Sequence, residues 1–240
     1  MTILNTISLE SNKKIKINFN GGDLSSDGGL PLIKELASRI GLIRLVKQLF
    51  KTNDHTQCRI HKDPDNLMQL VYQIIASYFE DNCADELTND PVMTAILDKE
   101  ALASQPTLSR FWNRMDGDTL SQLDMIQSKM RGIVYSVQKP EHMLFDLDST
   151  LLNTYGMQEG EGFNYHYQGH GYHPLFCYDG LTGDLLKAEL RDSTQYCSKD
   201  ADQFMIPLMQ EYRSMQTACR YMFLPTTCSI GSGAWHYPQA

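Results

Sequence analysis

Between residues 30 and 134 apolar side chains recur every three or four positions, the spacing of amphipathic helices. Pro31 in a first turn, with Ser26 or Asp27 near the N-cap, predicts a helix to about Ile40. Its apolar face is Ile33, Leu36 and Ile40, and Gly41 stops it. A second helix over 42–49 sets Arg44, Lys47 and Lys51 opposite Leu45, Val46 and Leu49. After the break at Pro64, Asp65 or Asn66 caps the strongest stripe of this half, from Leu67 through Val71 and Ile75 to Phe79. A short helix over 91–97 follows. Ser104 then caps a helix whose stripe is Leu108, Phe111 and Met115, with Pro106 in its first turn. A last helix starts at Asp118 or Thr119, runs through Val134 and ends before Pro140. With one short strand near Lys14–Phe19, residues 1–140 read as mostly helical.

At residue 141 the period changes to two. Strands are expected over about 142–148, 172–178 and 184–190, the last two joined as a hairpin by the five-residue turn Asp179–Gly183. A helix follows, beginning at Lys199–Asp202 with Phe204, Leu208 and Tyr212 on its inner face, and then a fourth strand near 220–224. The order β-β-β-α-β predicts an α/β fold with a mixed sheet over 141–224. Residues 225–240 have no usable period and no formal charge, and no Asp or Glu occurs after Glu211.

The first of these strands carries the candidate chemistry. In Leu144–Thr150, a two-residue period puts Asp146 and Asp148 on one face and Phe145, Leu147 and Ser149 on the other. Two carboxylates on one strand face repel unless a divalent cation or a shared proton relieves them. A solvated edge strand would also tolerate them, but the flanking elements suggest an interior strand. Two chemistries begin this way. In two-metal phosphoryl transfer on nucleic acid, cations about 3.5–4 Å apart activate a hydroxyl and stabilise the leaving oxygen. In aspartyl-phosphate chemistry of the haloacid-dehalogenase type, Asp146 would be nucleophile and Asp148 general acid. The second needs a later lysine and acids after a strand. Only Lys199 with Asp200 and Asp202 offers these, at a helix start.

Charge is unevenly spread. The net charge is −8, yet residues 1–62 hold ten Lys or Arg against five Asp or Glu, which leaves −13 for the rest. That asymmetry allows a basic contact surface at one end and an acidic metal-seeking site at the other. Arg44, Lys47 and Lys51 would meet phosphates, although such residues are more often a solvated face. Ser104, Thr107 and Arg110 open a helix in the manner of a groove-reading element. Four ligand-type residues, His166, His170, His173 and Cys177, are read as loop and strand residues, because Gly169, Gly171 and Pro174 prevent the regular helix a zinc pair would need. Six scattered cysteines without a CxxC pair read as reduced thiols of a cytoplasmic protein, and no apolar run is long enough for a membrane span.

Taken with their neighbours, these motifs resemble a family. Residues 19–30 (FNGGDLSSDGGL), 71–75 (VYQII) with Glu80, Asp81, Ala84 and Asp85, and then Leu87 and Asp90–Pro91 carry the first part. Residues 104–111 (SQPTLSRF), 146–150 (DLDST), 156–160 (GMQEG), 171–175 (GYHPL), 179–184 (DGLTGD) and Leu190–Arg191 carry the rest. Together they resemble insertion-sequence transposases of the DDE type, in the branch called DDE transposase group 1.

The resemblance implies a helical DNA-binding region, here 1–140, followed over 141–224 by the first half of an RNase H-like core. It implies Mg²⁺ or Mn²⁺ as cofactor, terminal inverted repeats as DNA partner, and a homo-oligomer or full-length transposase as protein partner. It also implies a nucleoid-associated protein of bacterial type. Asp148, next to Ser149–Thr150, matches the family's first catalytic aspartate, with Asp146 as the alternative. The family's second aspartate and its later glutamate have no counterpart, because no acid follows Glu211. The expectation is therefore a truncated transposase with an aberrant tail over 225–240. The chain is expected to be catalytically incomplete, with a DNA-binding or dimerising regulator of full-length transposase as the alternative function.

Overall fold

The computed structural model describes residues 6–18, 27–54, 56, 58–196, 198–215 and 220–225. The chain divides into two compact units, Met1–Val137 and Gln138–Ala240.

The first unit begins with an antiparallel hairpin of β1 (Thr6–Ser8) and β2 (Lys16–Asn18). Only β2 was foreseen; β1 is three residues long and too short to show a period. Seven helices follow: α1 (Leu30–Arg39), α2 (Leu42–Leu49), α3 (Asp63–Ile75), α4 (Cys83–Glu86), α5 (Pro91–Leu97), α6 (Gln105–Trp112) and α7 (Gly117–Val137). Their shared core includes Val46, Phe50, Met68, Tyr72, Met93, Ile96, Phe111 and Ile126. Each such side chain contributes about 1.5–3 kcal/mol of burial free energy. Gly41 sits between α1 and α2 at φ +80°, a conformation that favours glycine, so the helix stop expected there has a backbone cause.

The inner faces differ from the apolar pattern in two helices. In α1 the buried residues are Leu30, Pro31, Lys34 and Ala37, whereas Leu36 is exposed. In α3 the buried set is Asp63, Asn66, Met68, Gln69, Tyr72 and Gln73, and Ile74 and Ile75 are exposed. That helix ends at Ile75, short of Phe79, because Ser77 turns left-handed at φ 67°. Gln69 lies inward because its amide bonds the backbone of Ala103 in both directions, at 2.8 and 2.9 Å. A satisfied amide is tolerated in a core where an unsatisfied one is not.

Two helix starts differ from expectation. Helix α3 starts at Asp63, not at Asp65 or Asn66, with Pro64 in its first turn. Ser104 is the N-cap residue of α6 as expected, but its side chain makes no cap bond and the backbone N–H of Gln105 is satisfied by Asp85, twenty residues earlier, at 2.8 Å. Helix α7 is opened by Asp116, whose carboxylate accepts from the N–H and hydroxyl of Thr119 at 3.0 and 2.9 Å. The Asp27 carbonyl accepts from Leu30 N–H at 2.9 Å ahead of α1, and no side chain caps that helix; Ser26 lies outside the described residues. Asp90, like Asp116, caps by its own side chain, accepting from Val92 and Met93 at the start of α5.

The second unit is α/β with a mixed sheet. The main sheet has the order β8-β7-β3-β9. Strand β3 (His142–Ser149) pairs antiparallel with β7 (Leu175–Asp179), which pairs antiparallel with β8 (Leu185–Glu189). Helix α8 (Ala201–Met215) then leads to β9 (Arg220–Pro225), which pairs parallel with β3 from His142↔Arg220 to Leu147↔Pro225. The β-β-β-α-β order is therefore realised, with β3 interior.

Between β3 and β7 lies a small sheet of order β4-β6-β5, built from β4 (Leu152–Asn153), β5 (Gly162–Asn164) and β6 (Gly169–Tyr172). The sequence reading took 156–171 as loop and 172–178 as one strand. Instead the chain changes sheets at His173–Pro174, and Pro174 supplies no N–H to either ladder. Gly171 makes the small sheet work: a Cβ there would lie 2.1 Å from the carbonyl oxygen of Leu152.

Phe145, wholly buried, meets the ring of Tyr212 on α8 edge-on at 5.6 Å. Phe204 and Leu208 bury with it, and Lys187 of β8 donates to the Phe204 carbonyl at 2.8 Å. Helix α8 thus covers the Phe145 face of the sheet.

Candidate active site

The opposite face of β3 presents Leu144, Asp146 and Asp148, all half-buried. Alternation along an interior strand explains the placement: Met143, Phe145 and Ser149 are buried on the α8 side, which leaves the two acids for the other side. The register sets Asp146 opposite Tyr178 and Asp148 opposite Phe176. Directly opposed residues share a face, so two aromatic rings, 6.0 Å apart, lie beside the carboxylate pair. These aromatics were not singled out from sequence, although their two-residue spacing in β7 is visible there. Asp148 Oδ1 accepts from the N–H of Ser149 at 2.8 Å.

The β7–β8 turn closes one end of this face. Asp179 is fully buried and its carboxylate accepts from Leu181 N–H and the Thr182 hydroxyl, at 3.0 and 3.2 Å. Gly180 N–H donates to the Leu144 carbonyl at 2.7 Å. A Cβ at Gly180 would press on Leu144 Cδ2 at 2.9 Å and lie 3.6 Å from Asp146 Cβ. The turn approaches the acid strand this closely because residue 180 has no side chain.

Asp146 and Asp148 are oxygen donors of the type that holds Mg²⁺ or Mn²⁺. They suit such an ion in kind but not in number. Among the described residues no three His, Cys, Asp or Glu side chains converge on one point. We therefore draw no catalytic step through a metal.

The phosphatase reading finds less support in this geometry. Its candidate Lys199 has its carbonyl oxygen held by Arg191 at 3.0 Å, in the turn ahead of α8, and Asp200 lies in the same turn at φ 55°. His166, His170 and His173 lie at or next to the small sheet. His173 is buried, with Nδ1 3.0 Å from the Gln195 carbonyl oxygen, and burial lowers its pKa. Among the described residues Cys58, Cys83 and Cys177 are free thiols.

The residues expected to contact DNA lie in the first unit. Arg44, Lys47 and Lys51 form one exposed ridge along and just past α2. Arg44 folds back towards Gly41, 3.3 Å from where a Cβ would stand. Ser104, Thr107 and Arg110 form a second ridge on α6, joined by contacts of 3.2 Å (Ser104 to Thr107) and 3.3 Å (Arg110 to Thr107). No hydrogen bond or ion pair among the described residues links the two ridges.

Comparison with known proteins assigns the chain. The model for the family described as transposase DDE domain group 1 matches residues 7–224. The chain belongs to that family. Two solved structures are similar to it at low identity. One is a Mos1 transposase paired-end complex with left transposon end: 10% identity over 87% of this chain and 68% of that one, with a TM-score of 0.26. The other is a pre-cleavage Mos1 transpososome: 9% identity over 88% and 74%, with a TM-score of 0.25. No curated protein matches significantly. Among the described residues no helix is long and apolar enough to cross a membrane.

Proposed function

We propose that Asp148 is the first catalytic carboxylate of a DNA transposase, with Asp146 as its neighbour or alternate on the same face. The observation that carries this reading is the carboxylate pair on an interior strand of a chain that the family model covers over 7–224. Asp146 and Asp148 would be this chain's oxygen donors to a divalent cation, which when bound supplies Lewis-acid activation. The chain's own contribution is narrower. Strand β3 holds two oxygen donors on one side of a sheet that β7, β9 and α8 make rigid. Phe176 and Tyr178 offer flat apolar surface against which a nucleotide can lie.

The family's RNase H-like core fits the β3-β7-β8-α8-β9 order. DNA ends are the expected substrate, gripped through Arg44, Lys47 and Lys51 and through Ser104, Thr107 and Arg110. Glu211 is the last Asp or Glu of these 240 residues, so the carboxylates this reading assigns are those of β3. The alternative reading is a chain that binds transposon-end DNA as a regulator or partner of a transposase.

The test is a pair of assays on purified chain. Inverted-repeat DNA should be shifted in preference to unrelated DNA, with affinity falling steeply as salt rises. No shift at low salt removes the DNA reading. Any metal-dependent nicking should be abolished by Asp148→Ala; nicking that survives that change removes Asp148 as the catalytic residue.

A further inference from the structure

The first unit contains a cavity of about 430 Å³ between the hairpin loop, α1, α2, α3 and α5. Three lysines from three elements line it: Lys14 from the hairpin, Lys34 from α1 and Lys47 from α2. Lys34 is only 8% exposed, and none of the described hydrogen bonds or ion pairs involves its ammonium. A buried ammonium with no hydrogen-bonded counter-ion is costly, and Asp98 acts on Lys34 only at longer range. Burial lowers the Lys34 pKa, and Lys47 lowers it further, while Asp98 on the cavity wall and Glu35 act the other way. The other carboxylate in the lining, Asp65, is engaged by Lys99 at 2.5 Å.

The rest of the lining has two characters. Ser11 and Ser38 place hydroxyls at the cavity, and Ile43 and Ile96 give it apolar wall. Tyr72 also lines it, is 1% exposed, and has a hydroxyl with no hydrogen-bond partner among the described residues. The hairpin loop is pinned over the site. Ser11 N–H and Oγ donate to Glu35 at 3.0 and 2.7 Å, and the backbone bond, then the hydroxyl and Arg39, hold the Glu35 carboxyl down to about 2.

We infer that this cavity binds a phosphate ester of nucleotide size. Converging lysines and hydroxyls suit a phosphate, and an anion among them relieves the repulsion between Lys34 and Lys47. The volume exceeds what a bare phosphate fills and falls in the range of small-ligand pockets, about 300–1,000 Å³. The apolar wall and the unpartnered Tyr72 hydroxyl are then left for the sugar and base. Two sources share this chemistry, a free nucleotide and a nucleotide at a DNA end. The inference is independent of the acid strand, and it shares only Lys47 with the proposed DNA ridge.

The test uses full-length chain titrated by calorimetry with thymidine 5′-monophosphate, and with a short oligonucleotide ending in the same 5′-phosphate. Both should bind, and Lys34→Met should weaken each about ten-fold or more, since a charge-assisted contact is lost. Arg44→Gln, outside the cavity, should leave mononucleotide binding unchanged while weakening duplex DNA. Tighter binding of the oligonucleotide assigns the site to DNA ends; equal or weaker binding assigns it to free nucleotide. Methyl NMR of unmodified chain gives a second readout, with Ile43 and Ile96 expected to shift on titration. No binding of either probe, or binding that Lys34→Met does not change, overturns the inference. Mononucleotide binding lost in Lys34→Met but kept in Arg44→Gln reports the cavity, and duplex binding lost in Arg44→Gln reports the ridge, so the two failures are told apart.

Discussion

The two units handle buried and half-buried charge in opposite ways. In the helical unit, Asp63 is buried and fully engaged. Its carboxylate accepts from Thr52 N–H and Oγ1 at 3.0 and 2.8 Å and pairs with Arg59 and Arg114 at 2.7 and 3.1 Å. Burial pushes its pKa up, but Thr52 and then Arg114 outweigh this, and the net shift is downward. In the sheet unit, Asp146 and Asp148 sit two residues apart on one face, half-buried, beside aromatic rings. The first arrangement uses an acid to close a fold. The second sets two acids side by side on one strand face, where the proposed function places its site. Position in the sequence does not separate these cases; what surrounds the carboxylate does.

The comparison can be broken most severely in the sheet core. Phe145→Ala should cost about 3–5 kcal/mol, because Phe145 is wholly buried between β3 and α8 and a cavity would remain. Urea unfolding followed by hydrogen exchange should show the loss in the second unit alone. An effect below about 1 kcal/mol would mean that α8 does not hold the sheet as described.

Next in size is Asp63→Ala, expected to cost about 3 kcal/mol by removing the buried acid that pairs with Arg59 and Arg114 and accepts from Thr52, which leaves the two arginines only the more exposed Asp54. The same change at Asp146 or Asp148, half-buried rather than buried, should cost about 1 kcal/mol or less. If Asp148→Ala destabilised as much as Asp63→Ala, the functional reading of the acid face would lose its basis.

Smallest is Lys34→Met, expected to stabilise the helical unit by about 1 kcal/mol at neutral pH, measured by thermal unfolding. The sign follows from the lowered pKa. The unfolded chain holds the proton up to the ordinary value of 10.5, whereas the folded chain releases it earlier. Wild-type stability from this group therefore rises with pH through that window. The advantage of the variant should shrink as pH approaches 10.5. An advantage that grew with pH would contradict a desolvated lysine.

Much of this was legible in the chain. Alternation alone put Asp146 and Asp148 on one face, and the β-β-β-α-β order came from period and turn signals. Helix α5 was placed by Pro91. What was not legible depends on partners distant in sequence. Asp85 capping α6 and Gln69 reaching Ala103 invert local expectation, because a tertiary hydrogen bond outweighs a local propensity. The apolar stripe of α3 misled in part for the same reason: Gln69, paired with Ala103, faces inward, and Ile74 and Ile75 face out. The small sheet was missed because its strands are two to four residues long and depend on Gly171. The lysine cavity gave no signal, since Lys14, Lys34 and Lys47 meet only in the fold. The motif over residues 19–26 and the tail over 226–240 lie outside the described residues.

The central claim is that the Asp146–Asp148 face is a metal-binding, catalytic face and Asp63 is not. Manganese binding followed by electron paramagnetic resonance tests it directly. The account predicts weak, saturable Mn²⁺ binding to the intact chain, lost in Asp148→Asn, weakened in Asp146→Asn and unchanged in Glu189→Gln of β8. Manganese binding that survives the double Asp146→Asn, Asp148→Asn change, or its absence from the unmodified chain at millimolar metal, would contradict it.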